Sequence, residues 1–166
     1  DITNANHHIK EIIWISRRSD SIRNFNNYTN YTASHEYNEG LGILERAAIL
    51  WNREISRADY DANYYNQIQP YKYHTNVPRT GLYCYSFSLF PEKQVSAGSY
   101  DNSRVTTSLT IKTKETLKNN SKVNYINDIL SSLGKFYSPL VYEIVIYAMD
   151  VNVLHITNGN AGFRYS

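Results

Sequence analysis

Two stretches in which apolar and polar residues alternate restrict the possible fold most. In Leu82–Phe90 the residues at every second position are aromatic or apolar: Tyr83, Tyr85, Phe87 and Leu89. In Val105–Thr113 the apolar face carries Val105, Leu109 and Ile111, and the other face carries threonine, serine and lysine. Successive side chains of a strand point to opposite faces, so both stretches are predicted to be half-buried β-strands.

Three further stretches have the composition of strands. Ile9–Ser16 is short and rich in isoleucine between polar flanks. Tyr142–Met149 is almost entirely apolar, which predicts a strand buried on both faces, and Val151–Thr157 follows it after a predicted bend at Asp150 and Asn152.

The segment Leu41–Ser56 fits either a helix or a strand. Five of its residues form a stripe at helical spacing: Leu41, Leu44, Ala48, Trp51 and Ile55. Alternate residues also fit one face of a strand, but the residue pattern favours a helix. A second, short helix is predicted over Asp59–Gln69, with Asp59 as its N-cap and Pro70 as its end.

Long polar segments separate these elements. Ser19–Gly40, Pro91–Arg104 and Lys114–Lys135 are predicted loops, the last with a short helix around Asn127–Leu133. The 166 residues contain no internal repeat or interdomain linker, so one domain is expected. Several short strands with few helices predict an all-β antiparallel sandwich or barrel with long loops.

Composition excludes several classes of protein. No apolar run reaches the roughly 18–20 residues of a membrane-spanning helix, so no membrane insertion is expected. A formal net charge of +2 is too small to indicate nucleic-acid binding. The single cysteine, Cys84, rules out an internal disulfide framework. The polar start at Asp1, without methionine or a secretory signal, suggests a processed product or a piece of a longer chain.

None of the chemically reactive residues forms a pattern typical of an enzyme. His7 and His8 lack a third metal ligand, and Cys84 with His74 lacks an activating third group for a thiol nucleophile. Asp59 with Asp61, and Glu36 with Glu39, form no recognisable paired-carboxylate site. The basic patch Arg17, Arg18 and Arg23 could meet an anionic partner, but a solvated strand end is the favoured interpretation. We therefore expect no catalytic residues, no metal and no cofactor.

Three Asn-X-Ser/Thr sequons begin at Asn27, Asn30 and Asn119. All three lie in predicted loops, where a glycan acceptor has to be. In a chain this rich in asparagine, chance explains the sequons more often than glycosylation does.

Four stretches, taken together and in order, resemble the double jelly-roll major capsid proteins of the nucleocytoplasmic large DNA viruses. His8–Ile15 (HIKEIIWI) is similar to the family's "HPVKELIWV" strand. In Ala48–Pro78, the residues LWNRE are similar to the family's "L-lNG-dR", and they precede Tyr65, Gln-Pro-Tyr and His-Thr.

The third stretch is the most specific. GLYCYSFSLFPE, followed by a glycine and Ser-Arg, is similar to the family's "giYvYSFaLnPEeyqPSGtxNfSR". The tail NVLHITNGNAGFRYS resembles "yNvLri-nGmaGlaYs". From these two stretches the resemblance marks seven residues as structural: Pro91, Glu92, Gly98, Ser103, Arg104, Gly159 and Gly162.

The chain departs from the family pattern in two turns. Ser96-Ala97-Gly98 replaces Pro-Ser-Gly, with Asp101 in place of asparagine, and Asn52-Arg53 replaces Asn-Gly. These departures leave the geometry of the turns open. In the turn after Pro91, we expect Gly98 to adopt a conformation that other residues resist, and Arg104 to pair with a carboxylate or with loop carbonyls.

The resemblance implies that Leu41–Trp51 is a strand rather than a helix. It also implies that residues 1–166 form the C-terminal portion of the second jelly roll, with the first jelly roll and the upstream strands outside this chain. The expected fold is therefore a partial antiparallel jelly-roll sandwich with long loops and one or two short helices.

The function implied by the resemblance is structural. Three copies would form a homotrimeric capsomer of pseudo-hexameric outline that tiles the icosahedral shell, assembles in the host cytoplasm and contacts neighbouring capsomers, minor capsid proteins and penton proteins. Two alternatives remain open at this point. One is a carbohydrate-binding β-sandwich, and the other is a cupin-like metalloenzyme, for which His35, His74 and His155 lack the usual close spacing.

Overall fold

The computed structural model of the chain describes residues 8–19, 22, 26–33, 41–93, 97–114, 142–158 and 160–163. It contains nine strands and one helical segment within these ranges. The helix predicted around Asn127–Leu133 lies outside the described residues. Among the helices that are described, none has the length and apolar character that crossing a membrane requires.

The strands follow in chain order: β1 His8–Arg18, β2 Leu44–Trp51, β3 Ile55–Asp61, β4 Leu82–Ser86, β5 Tyr100–Asp101, β6 Thr107–Thr113, β7 Tyr142–Val151, β8 Leu154–Thr157 and β9 Asn160–Phe163. Between β3 and β4, a π-helical turn at Tyr64–Ile68 continues into helix α1 at Gln69–Tyr73. The strands predicted at Ile9–Ser16, Leu82–Phe90, Val105–Thr113 and Tyr142–Met149 correspond to β1, β4, β6 and β7.

Strand β1 is the centre of the first sheet. One of its edges pairs antiparallel with β4 and then with the short β5, and β7 pairs antiparallel along its whole length. The second sheet has the order β3-β2-β6, again antiparallel, and β8 and β9 form a separate hairpin. The prediction of an antiparallel all-β fold with short helices is confirmed.

A β-bulge in each sheet determines which residues enter the core. In β1 the pairing with β7 skips Lys10, and in β2 the pairing with β6 skips Glu45. A bulge inserts one residue and so shifts the alternation of faces. Ile9 and Ile12 are therefore both buried in the core although they are three positions apart. In β2, Leu44 and Ala47 are also three positions apart and both buried in the core.

Aromatic rings fill the space between the two sheets. Trp14 of β1 is fully buried, with Tyr65 edge-on at 5.1 Å and Tyr83 stacked at 5.9 Å between ring centroids. The Tyr65 hydroxyl donates to the carbonyl oxygen of Ala47 at 3.0 Å, which connects the helical turn to β2. Rings of this size each bury about 150–250 Å² of surface, so this cluster supplies much of the core.

The helix favoured for Leu41–Ser56 is wrong, because the segment forms β2, a turn and the start of β3. The helical stripe does not follow the buried face, since Leu41 is exposed and the residues of β2 that enter the core are Leu44, Ala47 and Ile49. The interpretation of Leu41–Trp51 as a strand, which the family resemblance implied, agrees with β2 except at its first residues.

The helix predicted over Asp59–Gln69 begins later and ends later than expected. Residues 59–61 belong to β3, and the Asp59 carboxylate forms an ion pair with Arg46 of β2. The helical segment is preceded instead by Asp61, whose carboxylate accepts a hydrogen bond from the Tyr64 backbone N–H at 2.9 Å. Pro70 does not end the helix. It occupies the first turn of α1, where the missing N–H of proline leaves no hydrogen bond unmade.

Two strands differ from their predicted environment. β4 ends at Ser86, before the end of the predicted strand. Phe87 packs against the core, whereas Leu89, beyond the end of β4, is exposed. β7 is not buried on both faces, since Ile144, Tyr147 and Met149 are exposed. Its apolar composition therefore faces solvent within the described part of the chain.

The β2–β3 turn gives a first prediction. Asn52 and Arg53 both have positive φ (51° and 64°), and the Glu54 N–H donates to the Trp51 carbonyl at 3.2 Å. Because a side chain resists this backbone conformation and glycine does not, we expect Arg53→Gly to raise the free energy of unfolding by about 0.5–1 kcal/mol. Urea denaturation measures this. Arg53→Ala, which removes the side chain but not the strain, should give no such gain.

A second prediction concerns Gly81, which has a φ of +96°. A Cβ atom at this position would lie 2.2 Å from the carbonyl oxygen of Tyr31. We expect Gly81→Ala to cost at least about 2 kcal/mol, from backbone strain and from the displacement of the Tyr31 backbone. Gly162→Ala is the control, because its Cβ would meet nothing within 4 Å and the change should stay within about 0.5 kcal/mol. Equal costs for the two variants would contradict this account.

Candidate functional site

A cluster of polar side chains lies on the face of the first sheet that points away from the aromatic core. Its central residue is Glu11 of β1, which is only 1% exposed. The bulge at Lys10 places Glu11 on this outer face, between Ile12 and Ile9, which enter the core. A carboxyl group buried this deeply requires specific partners, because burial of an unpaired charge is costly.

His74 is the principal partner of Glu11. It follows directly after α1, and the segment that it begins covers the outer face of β4. The His74 Nε2 atom lies 2.6 Å from Glu11 Oε1, and its side chain is 16% exposed. The pKa of Glu11 is raised, because desolvation outweighs the opposing attraction and hydrogen bond of His74.

Glu92 contacts the other ring nitrogen of His74, with Oε1 3.3 Å from Nδ1. The same oxygen accepts from the Thr75 backbone N–H at 3.1 Å and from the Thr75 hydroxyl at 3.2 Å. These hydrogen bonds lower the pKa of Glu92, and the bond from the Thr75 backbone N–H has the largest effect. Because an ionised carboxylate can only accept hydrogen bonds, the contact with Glu92 requires a proton on His74 Nδ1.

Cys84 of β4 completes the cluster opposite Ile13. One ligand atom from each of Glu11, His74 and Cys84 can be chosen so that all three lie within 4.8 Å of one another. Burial, with the nearby Glu11 carboxyl, raises the pKa of the Cys84 thiol strongly. A protonated, buried thiol is a poor nucleophile, so the geometry provides no thiol catalysis although His74 is near.

The cluster unites residues from three of the four stretches that carry the family resemblance: Glu11 from the first, His74 from the second, and Cys84 and Glu92 from the third. Sequence reasoning identified Glu92 as structural and considered the pair Cys84 and His74, but it missed Glu11. The available signal was the charged pair Lys10 and Glu11 inside the otherwise apolar stretch Ile9–Ile15.

The turn between β4 and β6 contains four other motif residues. Gly98 has a φ of +124°, and a Cβ there would lie 3.2 Å from the Phe87 carbonyl oxygen. The Ser103 N–H and hydroxyl donate to Asp101 Oδ1 at 3.0 and 2.5 Å, and Arg104 Nε lies 3.3 Å from Asp101 Oδ2. Pro91 comes after the end of β4 rather than ending it.

In the C-terminal motif, Gly159 lies outside the described residues. Gly162 lies in the exposed strand β9, opposite His155 of β8. The assignment of these residues as a structural motif stays a prediction.

The sequons differ in accessibility. Asn30 is 1% exposed, and its Oδ1 accepts from both the N–H and the hydroxyl of Thr32. A glycan on Asn30 therefore does not fit the folded chain. Asn27 is half-buried and remains a predicted acceptor, and Asn119 lies outside the described residues.

The other candidate residues do not converge with this cluster. His155 lies on β8 beside Thr157, so it does not form a metal site with His74. Arg17 pairs with Glu143 of β7 at 2.9 Å, and Arg18 donates to the Ala33 carbonyl at 2.7 Å. The remaining candidates, His7, Arg23, His35, Glu36 and Glu39, lie outside the described residues.

A second feature of the molecule is an exposed apolar surface on its last three strands. We call it the β7–β9 surface, and it consists of Ile144, Ile146, Tyr147, Met149, Val153, Leu154, Ile156 and Phe163. Ile156 and Phe163 are each 67% exposed. These side chains project from both faces of β7 and from the separate β8–β9 hairpin. Exposed apolar side chains in this number indicate that this end of the chain takes part in interactions.

Comparison with known proteins identifies the family. The profile described as "Large eukaryotic DNA virus major capsid protein" matches residues 3–162. The chain belongs to this family. The major capsid protein of Paramecium bursaria Chlorella virus 1 is 32% identical over 139 residues, and that of Phaeocystis pouchetii virus is 28% identical over 120 residues.

The matched relatives are much longer than this chain. The alignments cover 82% and 72% of the chain but only 31% and 20% of the two relatives, in the same order. A chain from the quasi-atomic model of the PBCV-1 virus capsid aligns over 98% of this chain and 44% of its own length, with a TM-score of 0.68 and 24% identity. This likeness confirms the predicted capsid jelly-roll fold.

The matched relatives share one broad class of function. The relatives are structural proteins rather than enzymes, as the sequence predicted. In this capsid-family chain the cluster of Glu11, His74, Cys84 and Glu92 is therefore interpreted as part of a scaffold, where it attaches two loops to the back of the first sheet.

The cluster predicts a specific dependence of stability on pH. Because the pKa of Glu11 is raised above the unfolded value of 4.5, the folded chain holds a proton that the unfolded chain loses, and stability decreases as pH rises through this window. We expect Glu11→Gln to remove this loss, which approaches about 1.4 kcal/mol per pH unit for one proton. Urea denaturation from pH 4.5 to 8 measures it.

Glu92→Gln is the matched comparison for this prediction. The pKa of Glu92 is lowered, so its contribution is present above pH 4.5 and is lost as pH falls below that value. The two variants should therefore differ from the wild type in separate pH ranges and with opposite slopes. If the stability of Glu11→Gln stayed parallel to that of the wild type from pH 4.5 to 8, the assignment of a raised pKa would be wrong.

Proposed function

We propose that this chain is the C-terminal portion of the second jelly roll of a major capsid protein, and that its role is to build the outer icosahedral shell of a large DNA virus. The observation that carries the proposal is the family match over residues 3–162, joined to an antiparallel fold that aligns with a capsid protein over 98% of this chain. In this proposal the protein acts in the virion, after assembly in the cytoplasm of the infected cell.

The proposed working unit is a homotrimer of pseudo-hexameric outline, in which each subunit contributes two jelly rolls. Closed symmetry lets one type of subunit make the same contacts repeatedly, which suits the tiling of a large shell. Neighbouring capsomers, minor capsid proteins and penton proteins are the proposed further partners. Neither nucleic acid nor membrane lipid belongs to this proposal.

The β7–β9 surface supports a partner outside the described residues. A jelly roll has eight strands in two sheets, whereas the second sheet described here has three strands. Ile144 and Ile146 lie on the same face of the first sheet as Ala148, which packs against the core, and yet both are exposed. We propose that the rest of the capsid protein, or a neighbouring subunit, covers this surface.

The carbohydrate-binding alternative has weaker support. A groove of about 320 Å³ lined by aromatic residues lies between the sheets, but its rings pack on one another. Trp51 stacks on Tyr100 at 4.7 Å with an interplanar angle of 6°, and the Arg57 guanidinium lies 5.4 Å from the Trp51 ring centre. A sugar would need an open aromatic face, which this packing does not offer.

The trimer is tested by the native mass of the full-length protein, measured before and after denaturation. We expect a native mass three times that of the denatured chain, because each subunit surface would be covered by its neighbour. A stable monomer at micromolar concentration would contradict the homotrimer.

A pair of variants tests the role of the β7–β9 surface. Ile156→Asp places a charge on the exposed hairpin, and we expect it to reduce trimer formation at least about tenfold, since a buried unpaired carboxylate is costly. Tyr71→Asp is the matched control, because Tyr71 is 83% exposed but lies on α1, outside this surface. Circular dichroism would verify that both variants fold. Equal trimer formation in the two variants would exclude the surface from assembly.

A further inference from the structure

We propose that Glu11, His74 and Cys84 form a zinc-binding site, with Glu92 as the residue that orients His74. The three side chains come from β1, from the segment after α1 and from β4, and the fold holds them together on one face of the first sheet. None of the proposed ligands belongs to the β7–β9 surface, although Met149 of that surface pairs with Glu11 across the strands.

The donor set indicates the metal. A thiolate sulfur, an imidazole nitrogen and a carboxylate oxygen together are typical of Zn²⁺, whereas Mg²⁺ and Ca²⁺ prefer oxygen ligands alone. Glu11 and Cys84 are almost fully buried, and His74 is mostly so. A bound cation would also explain why the Glu11 carboxyl group is buried on the outer face of β1.

The distances are close to those of a metal site. Zinc bonds of about 2.0–2.3 Å in tetrahedral geometry separate the ligand atoms by about 3.3–3.7 Å. The three donor atoms lie within 4.8 Å of one another, and the shortest separation is 2.6 Å between His74 Nε2 and Glu11 Oε1. Binding therefore requires this pair to separate by about 1 Å, and any donor atoms that lie as far as 4.8 Å apart to approach by a similar distance.

Space for this movement adjoins the ligands. A cavity of about 190 Å³ is lined by Glu11, His74, Cys84 and Glu92 together with apolar side chains such as Ile13 and Leu82. The cavity can hold a water molecule as the fourth ligand, which a three-residue zinc site needs. Its apolar wall keeps the surroundings of the ion poor in competing polar groups.

The position of Glu92 is the second observation that points to a metal. Histidines that bind a metal through one ring nitrogen usually donate the other N–H to a carboxylate, which fixes the ring and its tautomer. Glu92 Oε1 lies 3.3 Å from His74 Nδ1 and is itself held by two hydrogen bonds from Thr75. This arrangement directs Nε2 toward Glu11 and Cys84.

Zinc binding would displace protons from the cluster. The Cys84 S–H bond breaks, the sulfur lone pair forms the Zn–S bond and the proton goes to the buffer. Any proton that Glu11 holds leaves in the same way. Because burial favours the protonated thiol in the absence of metal, affinity for zinc should increase with pH.

The test uses the full-length protein with Zn²⁺ alone and, in parallel, with Co²⁺ as a spectroscopic substitute. We expect zinc uptake that excess Mg²⁺ does not reverse, release of at least one proton per bound ion, and a thiolate-to-Co²⁺ charge-transfer band. The melting temperature should rise with zinc, because the ion binds the folded state.

Variants locate the site. Cys84→Val should abolish the charge-transfer band and lower zinc affinity at least 100-fold, while its melting temperature without zinc shows whether the fold is kept. Glu92→Gln should keep the band and lower affinity about 10–100-fold, as expected for a positioning residue. His155→Gln, on the exposed β8, is the control and should behave as the wild type.

Several results would overturn the proposal. One is folded wild-type protein that takes up no zinc, or that shows no charge-transfer band with Co²⁺. Another is equal zinc affinity in the wild type and Cys84→Val, or an equal loss in His155→Gln, since either would place the metal elsewhere. If Cys84→Val does not fold, Cys84→Ser and the Co²⁺ spectrum of the wild type decide.

Discussion

The pairing of strand β1 along both of its edges is the constraint on which the rest of the structure depends. β7 follows it from end to end, and β4 and β5 share the opposite edge. The bulge at Lys10 then divides its side chains between two environments, with Ile9, Ile12 and Trp14 in the aromatic core and Glu11 on the outer face. One strand therefore contributes to both the core and the polar cluster, and any shift of its register would disrupt both.

Local alternation predicted β4 and β6, and composition predicted β1 and β7, whereas β5 lies in a segment that was predicted to be a loop. Such a pattern reports the face of a residue only while the strand remains regular, as it does through Tyr83 and Tyr85. In Leu41–Ser56 apolar residues recur at both spacings, so residue patterns favoured the helix although Ala47 and Ile49 of a strand face are the ones that are buried. The family resemblance corrected this error because it compares whole motifs rather than the spacing of apolar residues alone.

The polar cluster could be predicted only in part, because it depends on distances that the sequence does not contain. Glu11 and His74 are 63 positions apart, and His74 and Glu92 are 18 apart, so no local spacing relates them. The family motifs contain all three residues but do not state that they meet. Glu11 appeared beside Lys10 as one of two adjacent charged residues in an apolar stretch, which is also compatible with a solvated edge. Only the pairing of β1 with β4 and the return of the chain after α1 bring these groups together.

The outer face of the first sheet is covered on the side of β4 and exposed on the side of β7, with β1 between them. On the β4 side, His74 and Glu92 hold two loops over the sheet, and Glu11 and Cys84 are buried beneath them. On the β7 side, Met149 pairs with Glu11 and Tyr147 pairs with Ile13, yet both of these apolar side chains are exposed. A strand as apolar as β7 gains stability only when its faces are removed from water. The cluster thus completes one half of this face within the chain, and the other half stays apolar and exposed among the described residues.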